Sequence, residues 1–152
     1  MTAVTGIALA AGCAAVAEDL WRRQVSNWTS GGAIAGGLMC HLAQGGWKGG
    51  ALAVAGAATG FAIFLVFYLM NGIGGGDLKL MAGFGSLLGP GSILMAGWIT
   101  AVTGALMAGL FLAIRWAGRR RRAPVLPEPD RAAIPYAPAI VIGAWLVLLG
   151  RS

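Results

Sequence analysis

The chain has 152 residues, of which 58% are hydrophobic and only 11% charged, and its net charge is +6. Soluble domains carry about 25% charged residues, so this composition excludes an ordinary water-soluble domain and points to one membrane-embedded domain over residues 1–152. The positive excess reads as membrane topology and attraction to anionic lipid headgroups rather than as a nucleic-acid interface.

Residues 2–17 form the first apolar run, which ends at Glu18-Asp19 and is followed by Trp21-Arg22-Arg23. Ala15-Val16-Ala17 is similar to a signal-peptide cleavage site, but nothing before Glu18 is basic, so a retained first helix is expected. Residues 31–43 are a Gly-rich second helix, and residues 45–50 read as a short loop. Residues 51–70 carry no charge, and about 20 such residues suffice to cross a bilayer as a third helix. Then the pattern breaks. Four of the five residues 72–76 are Gly, with Asp77 immediately after them. Glycine there permits positive φ or a close backbone approach, so Gly76→Val is expected to be more harmful than Gly56→Val in the third helix. Asp77 falls at the expected N-cap of a fourth helix, residues 78–88. At about 1.5 Å per residue that helix covers roughly half a bilayer. Gly89-Pro90-Gly91 is a turn and residues 92–114 are a fifth helix. Residues 115–133 form a basic, Pro-rich cytoplasmic loop, and residues 134–150 a sixth helix with Pro135 and Pro138 in its first turns.

The expected fold is therefore an all-α integral membrane protein of about six transmembrane helices, the fourth short and preceded by a glycine break. Trp21, Trp28, Trp47 and Trp116 lie near the ends of apolar runs, where amphipathic rings favour the bilayer interface. The 26 glycines suit closely packed helices. With alternating helices, one set of loops holds Arg22, Arg23, Lys79, Arg115, Arg119, Arg120, Arg121, Arg122 and Arg131, and the other only Lys48 and Arg151. The positive-inside rule then places the N-terminus outside and the basic loops in the cytoplasm. Cys13 and Cys40 lie in apolar runs without CxxC spacing, so no disulfide framework, metal site or cofactor is expected.

That topology brings Asp19 and Asp77 to the same membrane face, although they are 58 positions apart. Glu128 and Asp130 belong to the Pro-rich loop, where solvation accounts for them. Two neighbouring carboxylates do not readily both ionise, so they can share a proton and activate a water against an amide. The same pair in a helix bundle also suits a proton relay in a small channel or transporter, and two solvated helix-end acids are the bland alternative.

Gly74-Gly75-Gly76-Asp77-Leu78-Lys79, the stretch from Asp19 to Asn27, and Ile134-Pro135-Tyr136-Ala137-Pro138-Ala139 resemble the type IV prepilin peptidases, which are GxGD membrane aspartyl proteases. The likeness extends over nearly the whole chain and is strongest to the small form associated with tight-adherence (Flp-type) pilus systems. It implies catalytic Asp19 and Asp77, with Gly74, Gly76 and Lys79 in the GxGDxK register. It further implies a bacterial inner-membrane endopeptidase that cuts prepilin or pseudopilin precursors at the cytoplasmic face, after a glycine just before their hydrophobic helix. Two departures stand out. The family's first motif commonly ends Ile-Pro-Asn, whereas this chain reads Val25-Ser26-Asn27, which implies a looser turn. Larger relatives carry a CxxC-bearing domain associated with methyltransferase activity, and no such activity is expected here.

The remaining polar residues have less specific readings. Lys79 either stabilises ionised Asp77, binds substrate, or snorkels. Asn27 caps the second helix or meets substrate. His41 is an interfacial or packed residue. Glu18 and Asp19 are adjacent and point about 100° apart on a helix, so one of them faces Asp77; the motif register favours Asp19, and Glu18→Gln is expected to be nearly silent. A non-catalytic assembly subunit is the third functional alternative.

Overall fold

Lipid offers no hydrogen-bond partners, so a spanning backbone must satisfy its own polar groups, and an apolar chain of this kind forms helices. The computed structural model describes residues 3–22, 24–70, 73–119 and 137–150, and within them every regular element is helical. In chain order these are α1 (Ala3–Arg22), α2 (Asn27–Leu69), α3 (Gly75–Leu88), α4 (Pro90–Arg119) and α5 (Ala137–Leu149). Arg23, Asn71, Gly72, most of the basic loop at 115–133, and Pro135 with Tyr136 lie outside the described residues. Three helices, Ala3–Arg22, Asn27–Leu69 and Pro90–Ile114, are long and apolar enough to cross a membrane, and Ala137–Leu149 is a shorter apolar helix.

Among the described residues there are five helical elements, and α2 contains the expected second and third helices, joined across a kink at a single residue. Gly46 has φ 53° and ψ −142°, a conformation open to glycine and strained for other residues. The chain folds back there, so that Gly49 abuts the His41 carbonyl and Gly50 abuts the Leu42 side chain. The loop expected at 45–50 is thus reduced to a one-residue break. Similarly, the turn at 89–91 is made by Gly89 alone, at φ 76°, and Pro90 opens α4 as its first residue, where its missing N–H is no loss.

Folding α2 back on itself makes a slot for α3. Between Leu78 and Gly89 every residue of this short helix is buried except Lys79, as befits a helix apolar on all sides. Phe84, Leu80, Met81 and Leu87 supply its largest fully buried side chains. Ser86 Oγ donates to the Ile34 carbonyl at 3.0 Å, and His41 Nε2 lies 3.2 Å from the Leu87 carbonyl, so the first half of the fold-back is tied to α3 by hydrogen bonds, while the second half meets α3 backbone to backbone at Gly56 and Gly60. His41 is accordingly a packed histidine near the C-terminal end of α3.

Close backbone contact here revises one expectation. A Cβ on Gly56 would collide with the Gly85 carbonyl and lie 2.8 Å from Gly89 Cα, backbone that cannot swing aside. At Gly76 the nearest atoms are those of Val25, at 3.3 Å. Gly56 therefore tolerates a side chain less well than Gly76. Among the described residues the positive-φ glycines are Gly46 and Gly89, so Gly76 is required for close approach and not for a special φ.

Candidate functional site

Two interhelical connections meet at one end of the bundle. The α1–α2 connection begins after Arg22 and ends at Ser26, the N-cap of α2, whose Oγ accepts from the Trp28 N–H at 3.1 Å. The cap is thus one residue earlier than Asn27, which is the first residue of α2. The α2–α3 connection ends at Gly74, the extended N-cap of α3. Asp77 is therefore not the cap but the third helical residue, from which a carboxylate reaches back to the backbone N–H of the N-cap. It accepts such a bond from Gly74.

The first helix also continues further than its apolar run implies. Glu18 and Asp19 sit within the last turns of α1 and not beyond its end. Their adjacent side chains diverge as helical geometry requires. Asp19 is 7% exposed, and its Oδ2 accepts the backbone N–H of Ala137, the first residue of α5, at 3.2 Å. An anion is well placed at the N-terminus of a helix. Glu18 turns toward α2, with Oε2 accepting the Ser26 N–H at 2.7 Å and Oε1 accepting the Thr29 hydroxyl at 2.9 Å.

Glu18, Asp19, Arg22, residues 24–27, residues 74–77 and Lys79 line a single cavity of about 580 Å³. Every supporting residue expected from the motif reaches it: Gly74, Gly76, Asn27 and Lys79 beside the two aspartates. Asn27 and Lys79, read separately from the sequence, form a pair, with Lys79 Nζ donating to Asn27 Oδ1 at 2.9 Å. That bond ties the first connection to the second, and the contact of Gly76 with Val25 ties them again.

Asp77 precedes the apolar part of α3 and lies outside the three long apolar spans. Burial, chiefly, and then the charge of Asp19 push its carboxyl up from 3.8 to about 6, against a smaller opposing effect of the Gly74 hydrogen bond. Burial disfavours the charged form, and a second negative charge nearby does the same. The site thus holds one carboxyl that keeps its proton into mildly acidic solution beside a carboxylate fixed by a helix N-terminus. Such a pair can give a proton and take one in the same reaction. Among the described residues no three His, Cys, Asp or Glu side chains gather as metal ligands.

Sequence reasoning missed three participants: the carboxylate of Glu18 as a double acceptor, Val25 as the surface against which Gly76 packs, and the Ala137 N–H. The proximity of Glu18 to Ser26 and Thr29 follows from a helix–turn–helix geometry and was open to recognition once α1 was continued to Arg22. The segment that holds Ala137 was among those carrying the family resemblance, but nothing local indicated its contact with Asp19.

A family model described as the type IV leader peptidase family matches residues 6–113, a span that contains both aspartates and both connections. No curated protein and no solved structure matches the chain.

Proposed function

Since the chain belongs to the type IV leader peptidase family, we propose that it is a membrane aspartyl endopeptidase that removes the leader of prepilin-like precursors, with Asp19 and Asp77 as its catalytic pair. The observation that carries this reading is that two acids from different helices line one polar cavity and that Asp77 is shifted to about 6 partly by Asp19. In the reaction, a water lies between the carboxyls. The Asp19 carboxylate takes its proton as the water oxygen bonds to the scissile carbonyl carbon, and Asp77 gives its proton to the carbonyl oxygen. Collapse of the tetrahedral intermediate returns that hydroxyl proton to Asp77, while the proton on Asp19 passes to the departing amine. Both carboxyls end as they began.

Asn27 and Lys79 hold the two connections together around this pair. The nine-to-two distribution of basic residues supports an inner-membrane location with the N-terminus outside and the cavity open to the cytoplasm. Resemblance to the small Flp-associated form supports a pilin of a tight-adherence system as substrate, cut after the glycine that precedes its hydrophobic helix. The test is to incubate the purified full chain with a candidate prepilin and map the products by mass spectrometry. A single cut at that glycine, lost in Asp19→Asn and in Asp77→Asn, is the expected result. Proton flux in proteoliposomes that depends on Asp77, without any peptide cleavage, would overturn the reading.

A further inference from the structure

The connection between α1 and α2 has the backbone of a prolyl turn without a proline. Ser26 has φ −65° and ψ 143°, and φ near −65° is where a pyrrolidine ring would lock the chain. A seryl residue has no such restraint of its own. Here the restraint comes from Glu18, one turn before the end of α1. One carboxylate oxygen holds the Ser26 N–H at 2.7 Å and the other holds the Thr29 hydroxyl at 2.9 Å, one contact on each side of the start of α2. Bonds to an ionised carboxylate are the stronger class of hydrogen bond, and the N-terminal end of α2 favours the negative charge. Ser26 uses its hydroxyl separately, to cap α2 through the Trp28 N–H, so its N–H and its side chain have distinct roles.

The braced turn bears on the second aspartate through two contacts. Val25 lies against Gly76, and Asn27 receives the Lys79 ammonium at 2.9 Å. We infer that Glu18 is a positioning residue: it clamps the α1–α2 turn so that Val25 and Asn27 hold the glycine-rich start of α3, and with it Asp77, in register with Asp19. This role concerns geometry, and its kinetic readout rests on the peptidase reading above. Its structural readout does not.

The experiment compares the full-length wild type with E18A, E18Q, S26A, S26P and the doubles E18A/S26A and E18A/S26P, in detergent or nanodiscs. Two quantities are measured on each protein: amide hydrogen exchange at residue 26, where an N–H remains, and kcat and KM for prepilin cleavage. In E18A, exchange at Ser26 should accelerate by about ten-fold or more, since the amide loses its acceptor. Misplacement of a catalytic group by about 1 Å lowers the rate by roughly 100-fold, so kcat should fall by about 10- to 100-fold with KM changed by less than about two-fold. E18Q, which keeps one carbonyl acceptor but lacks the second, should fall between E18A and wild type, in place of the nearly silent change expected from the sequence, because Glu18 accepts two hydrogen bonds. S26A keeps the N–H, so losing Glu18 should remain as harmful in that background as in wild type. S26P keeps the backbone angle but has no N–H, and there the loss of Glu18 should matter markedly less, a non-additivity expected of direct partners.

Wild-type exchange at Ser26 together with wild-type kcat in E18A overturns the inference, as does an equal effect of E18A in the S26A and S26P backgrounds. Should E18A fail to fold, E18Q and the two Ser26 variants carry the same comparison. If the wild type cleaves no prepilin, the peptidase reading fails, and exchange at Ser26 still decides whether Glu18 braces the turn.

Discussion

The proton on Asp77 provides the sharpest quantitative test of this site. Its carboxyl is raised from 3.8 to about 6 by burial first and by Asp19 second, which corresponds to about 3 kcal/mol favouring the protonated form. Infrared difference spectra of the wild type against Asp77→Asn isolate the protonated carboxyl band of this one residue from those of the other acids. The band should persist at pH 5, where an exposed aspartate near about 3.9 is ionised, and titrate with a midpoint near 6. Asp19→Asn removes the charge but leaves the burial. The midpoint should then fall but stay above 3.8, since burial is the larger cause. The same shift has a defined consequence for stability. The folded state binds more protons than the unfolded state between pH 3.8 and about 6, so this contribution is complete below the unfolded value and is lost as pH rises through the folded one. Thermal stability should therefore decline across that window in the wild type and be flatter in Asp77→Asn. A wild-type midpoint near 4 would refute the buried, coupled pair, and a midpoint unmoved by Asp19→Asn would refute the coupling alone.

The remaining predictions follow from the same contacts. Asp19→Asn and Asp77→Asn should each abolish cleavage in a folded protein, and the double variant should be little worse than either single one, because members of a catalytic unit are strongly non-additive; substantial activity in one single variant removes that residue from the site. Gly56→Val should lower the yield of folded protein far more than Gly76→Val, because it drives a side chain into the Gly85 backbone; equal yields with selective loss of activity at Gly56 would refute this. Lys79→Met and Asn27→Ala should reduce cleavage by similar factors and combine less than additively, as their 2.9 Å bond requires; independent effects would show that the pair does not act as one link. An added prepilin peptide should be cut in inside-out vesicles and spared in right-side-out ones, and the reverse result would invert the proposed topology.

The sequence alone determined the class of the protein and the residues worth watching. An apolar chain with few charges has to form helices in lipid, and Asp19 and Asp77 stand out because so few acids compete with them. The glycine run before Asp77 marked a break for a physical reason that holds whatever the fold around it. Other features needed the third dimension. A glycine at position 46 in a Gly-rich stretch looks like its neighbours until packing selects φ 53° there, folding the two expected helices back on each other at one residue so that they enclose α3. Glu18 and Asp19 are adjacent acids with nearly the same local surroundings. The motif register favoured Asp19, but only the tertiary structure gave the two acids their separate contacts, sending Glu18 to partners 8 and 11 residues away and Asp19 to a backbone N–H 118 residues away at the start of α5. Hydrophobic periodicity specifies which residues are helical, but it says nothing about which helix end another helix end will meet. That choice depends on the summed packing of small residues along α2, α3 and α5, and no local stretch of the chain contains it.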